Sequence, residues 1–149
     1  MPANTNIFNE SDIDLSALID IANEFLPHAQ GVMGFSDPVR ISLVSDKENS
    51  LNPLGKTGYY DPAEMGISLF VDDRHPKDIL RSLSHELVHH TQNCNGMFDE
   101  VGEMSDGYAQ EDDHLREMER EAYELGNMCF RDWEDEYKKK QQWQLNEGA

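Results

Sequence analysis

The chain has 149 residues, a length that suits one domain with a single core and is short for two. Its 12 lysines and arginines against 30 aspartates and glutamates give a formal net charge of −18. That field repels phosphate backbones and attracts cations, so we expect no nucleic-acid partner. No apolar run reaches the roughly 18 residues of a spanning helix, so we expect no membrane partner either.

The amino terminus and the cysteines bear on the compartment. The first 25 residues lack a basic segment followed by an apolar one, so we expect no secretory signal. Cys94 and Cys129 are two isolated cysteines, and such thiols are usually reduced in a chain without an export signal. A disulfide between them stays an open alternative. We therefore expect a cytoplasmic protein. The sequence does not predict its oligomeric state.

In chain order, the first predicted elements are one helix and three strands. Apolar residues at helical spacing predict an amphipathic helix over Ser11–Phe25, ended by Pro27. Alternating apolar and polar residues predict a strand over Val39–Ser45, and Tyr59–Tyr60 reads as a short strand. Gly66–Val71 reads as a further strand that leads into a helix.

The second half of the chain is predicted to be helical on either side of an acidic loop. One helix begins near Pro76 and stops around Gly96, and the loop covers 97–113. A long helix then runs from His114 to about Gln144, and residues 138–149 are expected to fray. This order of helix, strands, helix and helix predicts a single α+β domain over residues 1–149.

The first of these two helices carries the pattern H-E-x-x-H. His85 and His89 lie four residues apart and so project from one side of a helix, within reach of one zinc ion. Glu86 can reach a water in the open coordination position and take its proton. Both histidines also point away from the helix's apolar face. The pattern therefore predicts a zinc site with Glu86 as the catalytic base.

Other histidines and acidic residues do not fit a metal site. His90 falls within the apolar stripe of the same helix, so we expect it to pack in the interior. His28 and His75 have no partner at ligand spacing and are expected on the surface or in loops. The acidic residues of 97–113 do not match the pattern of an EF-hand calcium loop.

A catalytic zinc needs a third protein ligand, and the long helix offers several. Glu117 points away from the apolar stripe and is disfavoured. Glu119 and Glu121 flank that stripe on opposite sides, and periodicity does not separate them. His114 is a rival, but the spacing after His89 does not match the three-histidine pattern of metzincins.

The segment Glu119-Arg120-Glu121-Ala122-Tyr123 resembles the E-x-E-A-D or E-x-E-A-N helix of glutamate-type zincins. Small single-domain metallopeptidases of the ImmA/IrrE-like kind carry such a helix downstream of H-E-x-x-H. The resemblance covers roughly residues 57–130 and implies a zincin-like fold, in which Glu119 is the third zinc ligand. It departs at Tyr123, where those families have Asp or Asn. The Tyr123 hydroxyl could orient a histidine or stabilise an oxyanion, or the ring could simply pack.

The resemblance implies a zinc metallopeptidase that acts on a peptide or protein substrate. An extended peptide is expected to pair with the sheet's edge strand, for which Gly66–Val71 is the candidate, and an acidic rim formed by 97–113 would favour basic peptides. One alternative is a catalytically silent metal-binding or regulatory module that has the same fold and binds a partner protein. Another is an acidic decoy that imitates DNA, but it leaves the H-E-x-x-H pattern without a role.

Overall fold

The computed structural model describes residues 5–46, 57–96 and 113–148. These residues form three helices and a four-stranded mixed sheet, which confirms the α+β class. In chain order the elements are β1 (Thr5–Asn9), α1 (Ser16–Met33), β2 (Val39–Val44), β3 (Gly58–Asp61), β4 (Gly66–Phe70), α2 (Pro76–Cys94) and α3 (Asp113–Gly148).

The sheet has the strand order β1-β2-β4-β3. The strands β1, β2 and β4 are parallel, and β3 is antiparallel to β4. The prediction that Gly66–Val71 forms an edge is wrong, because β4 lies between β2 and β3. Its side chains Ile67 and Leu69 are buried in the core, as an inner strand requires. The edge next to β4 is instead β3, which folds back through a turn where Asp61 accepts the N–H groups of Ala63 and Glu64.

Helix α1 begins later and ends later than predicted. It contains Pro27, which was expected to stop it, and it ends at Met33, where Gly34 follows as a left-handed cap with a φ of 84°. Proline is tolerated at this position because Pro27 and Asn23 both lie on the exposed face, where water can satisfy the carbonyl that loses its partner. Burial of Phe25, Leu26 and Ala29 on the opposite face holds the helix together across the proline.

The core lies between the sheet and the three helices. The apolar stripe predicted for α2 is buried against the sheet and α1, and Phe25 of α1 packs edge-on against Phe130 and Trp133 of α3. Both cysteines are free thiols, Cys94 partly buried and Cys129 buried. Burial raises the pKa of the Cys129 thiol to about 11, which makes it a poor nucleophile.

Three expectations concern the surface and the ends of the chain. Most of the predicted acidic loop, residues 97–112, lies outside the described residues. Helix α3 is described through Gly148, further than the predicted end near Gln144, and fraying of 138–149 stays a prediction. Across the described ranges, no helix is both long and apolar enough to cross a membrane.

Candidate metal centre

Helix α2 presents two histidines to a cleft on one side of the molecule. His85 and His89 lie one turn apart, with ring centroids 5.0 Å from each other and nearly perpendicular ring planes. Leu83 and Leu87, on the opposite face of the helix, are almost completely buried. Packing of that apolar face sets the rotation of α2 and thereby directs both imidazole rings into the cleft.

Helix α3 brings the Glu119 carboxylate onto both histidines. Glu119 Oε1 lies 2.8 Å from His85 Nε2, and Oε2 lies 3.1 Å from His89 Nε2. The three ligand atoms that these residues offer lie within 4.8 Å of one another. Two imidazole nitrogens and a carboxylate oxygen at this separation could hold a metal ion. We name His85, His89 and Glu119 the metal group.

Close packing of α2 and α3 brings Glu119 within reach of the two histidines. A Cβ atom on Gly126 would lie 3.0 Å from His85 Cα and 3.1 Å from His85 N, so the helices approach where α3 has no side chain. The Ser84 hydroxyl donates to the Gly126 carbonyl at 2.6 Å, in the buried interface. Glu119 lies seven residues before Gly126, two turns along the same side of α3, so this contact sets its distance from His85.

Gln92 orients His89 from the next turn of α2. Its amide nitrogen donates to the Met118 carbonyl at 2.8 Å and to Glu121 Oε1 at 3.0 Å. Its amide oxygen therefore accepts from His89 Nδ1, at 2.9 Å. That bond holds one imidazole proton on Nδ1, so Nε2, which faces Glu119, is the nitrogen that a metal ion can take once its own proton is released.

The roles of Gln92 and Gly126 were not predicted from the sequence. Each residue has a feature in the sequence that could have indicated its role. Gln92 lies three residues after His89 on the same helix, and Gly126 stands inside a helix, where glycine is unfavourable by about 1 kcal/mol relative to alanine. Glu121 was the alternative to Glu119 that periodicity left open for the third ligand. It accepts a hydrogen bond from the Gln92 amide and is not a member of the group that contains His85 and His89.

The electrostatics of the group favour a cation. Both histidines hydrogen-bond to Glu119, and this holds the pKa of that carboxyl far below its usual range. Burial opposes the charged form of His89, but Glu119 and Glu86 outweigh burial and raise the pKa of His89. A bound metal ion would therefore take the place of a proton held at the same atoms.

Glu86 lies beside the group and is 7% exposed. Burial raises its pKa, an effect that Glu119 adds to and the two histidines oppose. A carboxylate with a raised pKa accepts a proton more readily, which is the property of a general base. The structure thus places Glu86 in the cleft wall next to both histidines.

Tyr123 lies four residues after Glu119 and extends along the same wall. Its ring centroid is 4.6 Å from that of His85, in an edge-to-face arrangement, and the side chain is 60% exposed. The ring therefore limits the movement of His85 while much of the side chain faces the cleft. A catalytic role for its hydroxyl stays a prediction.

The remaining histidines lie elsewhere. His90 is fully buried, with Nδ1 at 2.8 Å from the Tyr60 hydroxyl and Nε2 at 2.8 Å from the Asp37 carbonyl, and so packs as predicted. His75 caps α2 by accepting the Lys77 N–H. His28 is part of α1, not of a loop, and is half-buried. His114 is exposed and does not join the metal group.

The metal group lies in a cleft of about 830 Å³ between the edge strand β3 and the helices α2 and α3. Comparison of the chain with protein-family models, curated proteins and solved structures gives no match. The resemblance to glutamate-type zincins therefore stays a prediction from the two motifs. The capacity to hold a metal ion rests on the geometry of His85, His89 and Glu119.

Proposed function

We propose that the protein is a zinc-dependent metallopeptidase with a zincin-like fold. The observation that carries the proposal is the meeting of His85 Nε2, His89 Nε2 and the Glu119 carboxylate, with Glu86 buried beside them in an open cleft. Two histidines and one glutamate are one of the ligand sets of catalytic zinc sites, in which the fourth position is left to water. A purely structural zinc would have four protein ligands.

The donor atoms suit zinc better than calcium or magnesium, which prefer oxygen ligands throughout. Zinc, when bound, polarises a substrate carbonyl and lowers the pKa of its water towards about 7. The chain's own residues do the rest. Glu86 takes a proton from the attacking water and returns it to the leaving amine, and Gln92 keeps His89 in the tautomer that binds metal.

The substrate is proposed to be a peptide or protein segment in extended conformation. It would lie along β3, because this strand forms the sheet edge that borders the cleft. Addition of a strand there supplies main-chain hydrogen bonds next to the metal group. The Tyr123 hydroxyl is proposed to stabilise the oxyanion formed during hydrolysis.

The proposal is tested by metal analysis together with one substitution. We expect purified protein to hold about one zinc ion per chain and to cleave members of a fluorogenic peptide library, and chelation to remove both properties. Glu86→Gln should keep the metal and lose turnover, because the amide cannot accept the proton. Unchanged turnover in Glu86→Gln would contradict the mechanism, and absence of bound zinc would contradict the metal site.

The second candidate is a catalytically silent metal-binding module on the same fold. The observation that favours it is Tyr123, which occupies the position where the resembled families carry Asp or Asn. Under this alternative, the wild-type protein binds zinc with the same ligands but cleaves no peptide in the library. Glu86→Gln would then change neither metal content nor activity, which separates the two candidates.

A further inference from the structure

The cleft continues from the metal group along α2 towards the start of that helix. Arg81 lines this part of the cleft. It lies four residues before His85, which places it about 6 Å further along the helix axis. Arg74, just before the helix, and Asp78 line the same end, and Asn127 of α3 completes the wall. This end of the cleft contains two guanidinium groups and one carboxylate, in a chain whose net charge is −18.

Arg74 is held by neutral oxygen atoms. Its Nη1 donates at 3.0 Å to each of the carbonyls of Thr57 and Phe70, and its Nη2 donates to the Asp78 carbonyl at 2.9 Å and the Ser82 hydroxyl at 2.8 Å. These bonds fix the guanidinium between the sheet and α2. They leave its positive charge in place, because none of the four acceptors is ionised.

Arg81 is the guanidinium that a substrate can approach. Its Nη1 lies 3.3 Å from Asp78 Oδ1, and both side chains are about half exposed. An arginine has five N–H groups in a planar fork, so this contact leaves further donors for a second acceptor. Asp78 thereby orients Arg81 without neutralising this end of the cleft, since Arg74 supplies the second positive charge.

We propose that Arg81 binds a carboxylate of the substrate, within about two residues of the bond that is cleaved. The spacing follows because four helical residues span about 6 Å and an extended peptide advances about 3.3 Å per residue. The inference rests on the proposed peptidase function and names its substrate class, peptides with an acidic group near the scissile bond. This preference is opposite to the one expected from the acidic segment 97–113.

The test measures binding, so it does not depend on turnover. The probes are short peptides with a metal-binding hydroxamate, placed at the amino end in one series and at the carboxyl end in the other. Each series carries Glu, Gln or Lys at the first or second position from the hydroxamate, with the other end blocked. A further probe carries Gln and a free terminal carboxylate. Calorimetry on the zinc-loaded protein gives the Kd of each probe.

We expect a carboxylate probe to bind about tenfold more tightly than the matched Gln probe, because it gains a charge-assisted hydrogen bond. Preference for the Glu probe identifies a side chain as the source, and preference for the free terminus identifies a chain end. Arg81→Met keeps the aliphatic stem and should reduce the preference to less than about twofold. Arg81→Glu should favour the Lys probe. Arg40→Gln removes an exposed guanidinium outside the cleft and should change nothing.

Two results would overturn this inference while leaving the metal site intact. One is equal binding of the Glu, Gln and Lys probes in both series. The other is a preference for carboxylate that survives Arg81→Met and Arg81→Glu. If no hydroxamate binds at all, the proposed zinc centre fails and the substrate preference fails with it. The peptidase mechanism is judged separately, by turnover in Glu86→Gln.

Discussion

The two faces of α2 each hold a hydrogen-bonded histidine, and the partners differ in charge. On the cleft face, His89 lies between the Gln92 amide and the Glu119 carboxylate. On the core face, His90 lies between the Tyr60 hydroxyl and the Asp37 carbonyl, both neutral. The two residues are adjacent in sequence. His89 nevertheless contacts α3, whereas His90 contacts Tyr60 of β3 and the Asp37 carbonyl.

This difference decides which face can hold a cation. Burial disfavours the charged form of both rings. Near Glu119 and Glu86 the pKa of His89 is nevertheless raised, whereas burial lowers the pKa of His90 and outweighs the opposing effect of Asp37. On the cleft face, the carboxylate of Glu119 lies directly on the histidines and so provides a third ligand atom for a cation. Substitution of equivalent groups on the two faces should therefore have different effects on metal binding.

The largest expected effect comes from the two histidines themselves. His89→Ala removes one of three ligands and should abolish stoichiometric zinc binding, measured by titration against a chromophoric chelator. His90→Gln should retain zinc and instead lower the free energy of unfolding of the metal-free protein by about 1–3 kcal/mol, since a buried hydrogen-bonded group is disturbed. Loss of zinc in His90→Gln with the fold intact would contradict the division between the faces.

Gln92 and Asn93 give the next comparison. Gln92→Leu removes the acceptor that orients His89 and should weaken zinc binding about 10- to 100-fold. Asn93 donates to the Tyr60 hydroxyl at 2.9 Å and to the Pro62 carbonyl at 3.0 Å, on the side of β3. Asn93→Ala should therefore reduce stability to urea while the Kd for zinc changes less than about threefold. Equal zinc affinities in the two variants would show that Gln92 does not act through His89.

One tyrosine lies beside a histidine on each face of α2. Tyr123 packs against His85 on the cleft face, and Tyr60 binds His90 on the core face. Tyr123→Phe keeps the ring against His85 and removes the hydroxyl, so we expect zinc content to stay constant while kcat falls about tenfold, less than for a buried oxyanion donor. Tyr60→Phe removes the hydroxyl bonded to His90 and Asn93 and should cost about 1 kcal/mol of stability without affecting zinc. An unchanged kcat in Tyr123→Phe would leave that side chain a packing role only.

Local patterns in the sequence predict the helices that carry the candidate metal ligands and some of the strands of the sheet. Helical spacing was enough for His85 and His89, and alternation was enough for β2. The strand β1 was missed because its polar residues show little alternation and its pairing with β2 depends on contacts more than 30 residues away in sequence. The position of β3 at the sheet edge, and the choice of Glu119 over Glu121, likewise depend on tertiary packing, which periodicity within one segment does not report.

Among the variants expected to weaken zinc binding, the smallest change in affinity is expected where the two helices touch. Gly126→Ala places a methyl group against His85 Cα and should push α3 outward by a few tenths of an ångström, because the obstacle is backbone and cannot turn aside. We expect a loss of about 1–2 kcal/mol in unfolding free energy and a severalfold weaker affinity for zinc, since Glu119 moves with α3. Gly31→Ala is the matched control: its methyl group meets nothing within 4 Å in α1, so it should stabilise the protein by roughly 0.5–1 kcal/mol with no change at the metal. If Gly126→Ala also stabilised the protein and left zinc affinity unchanged, close helix contact would not be what sets the distance between Glu119 and the histidines.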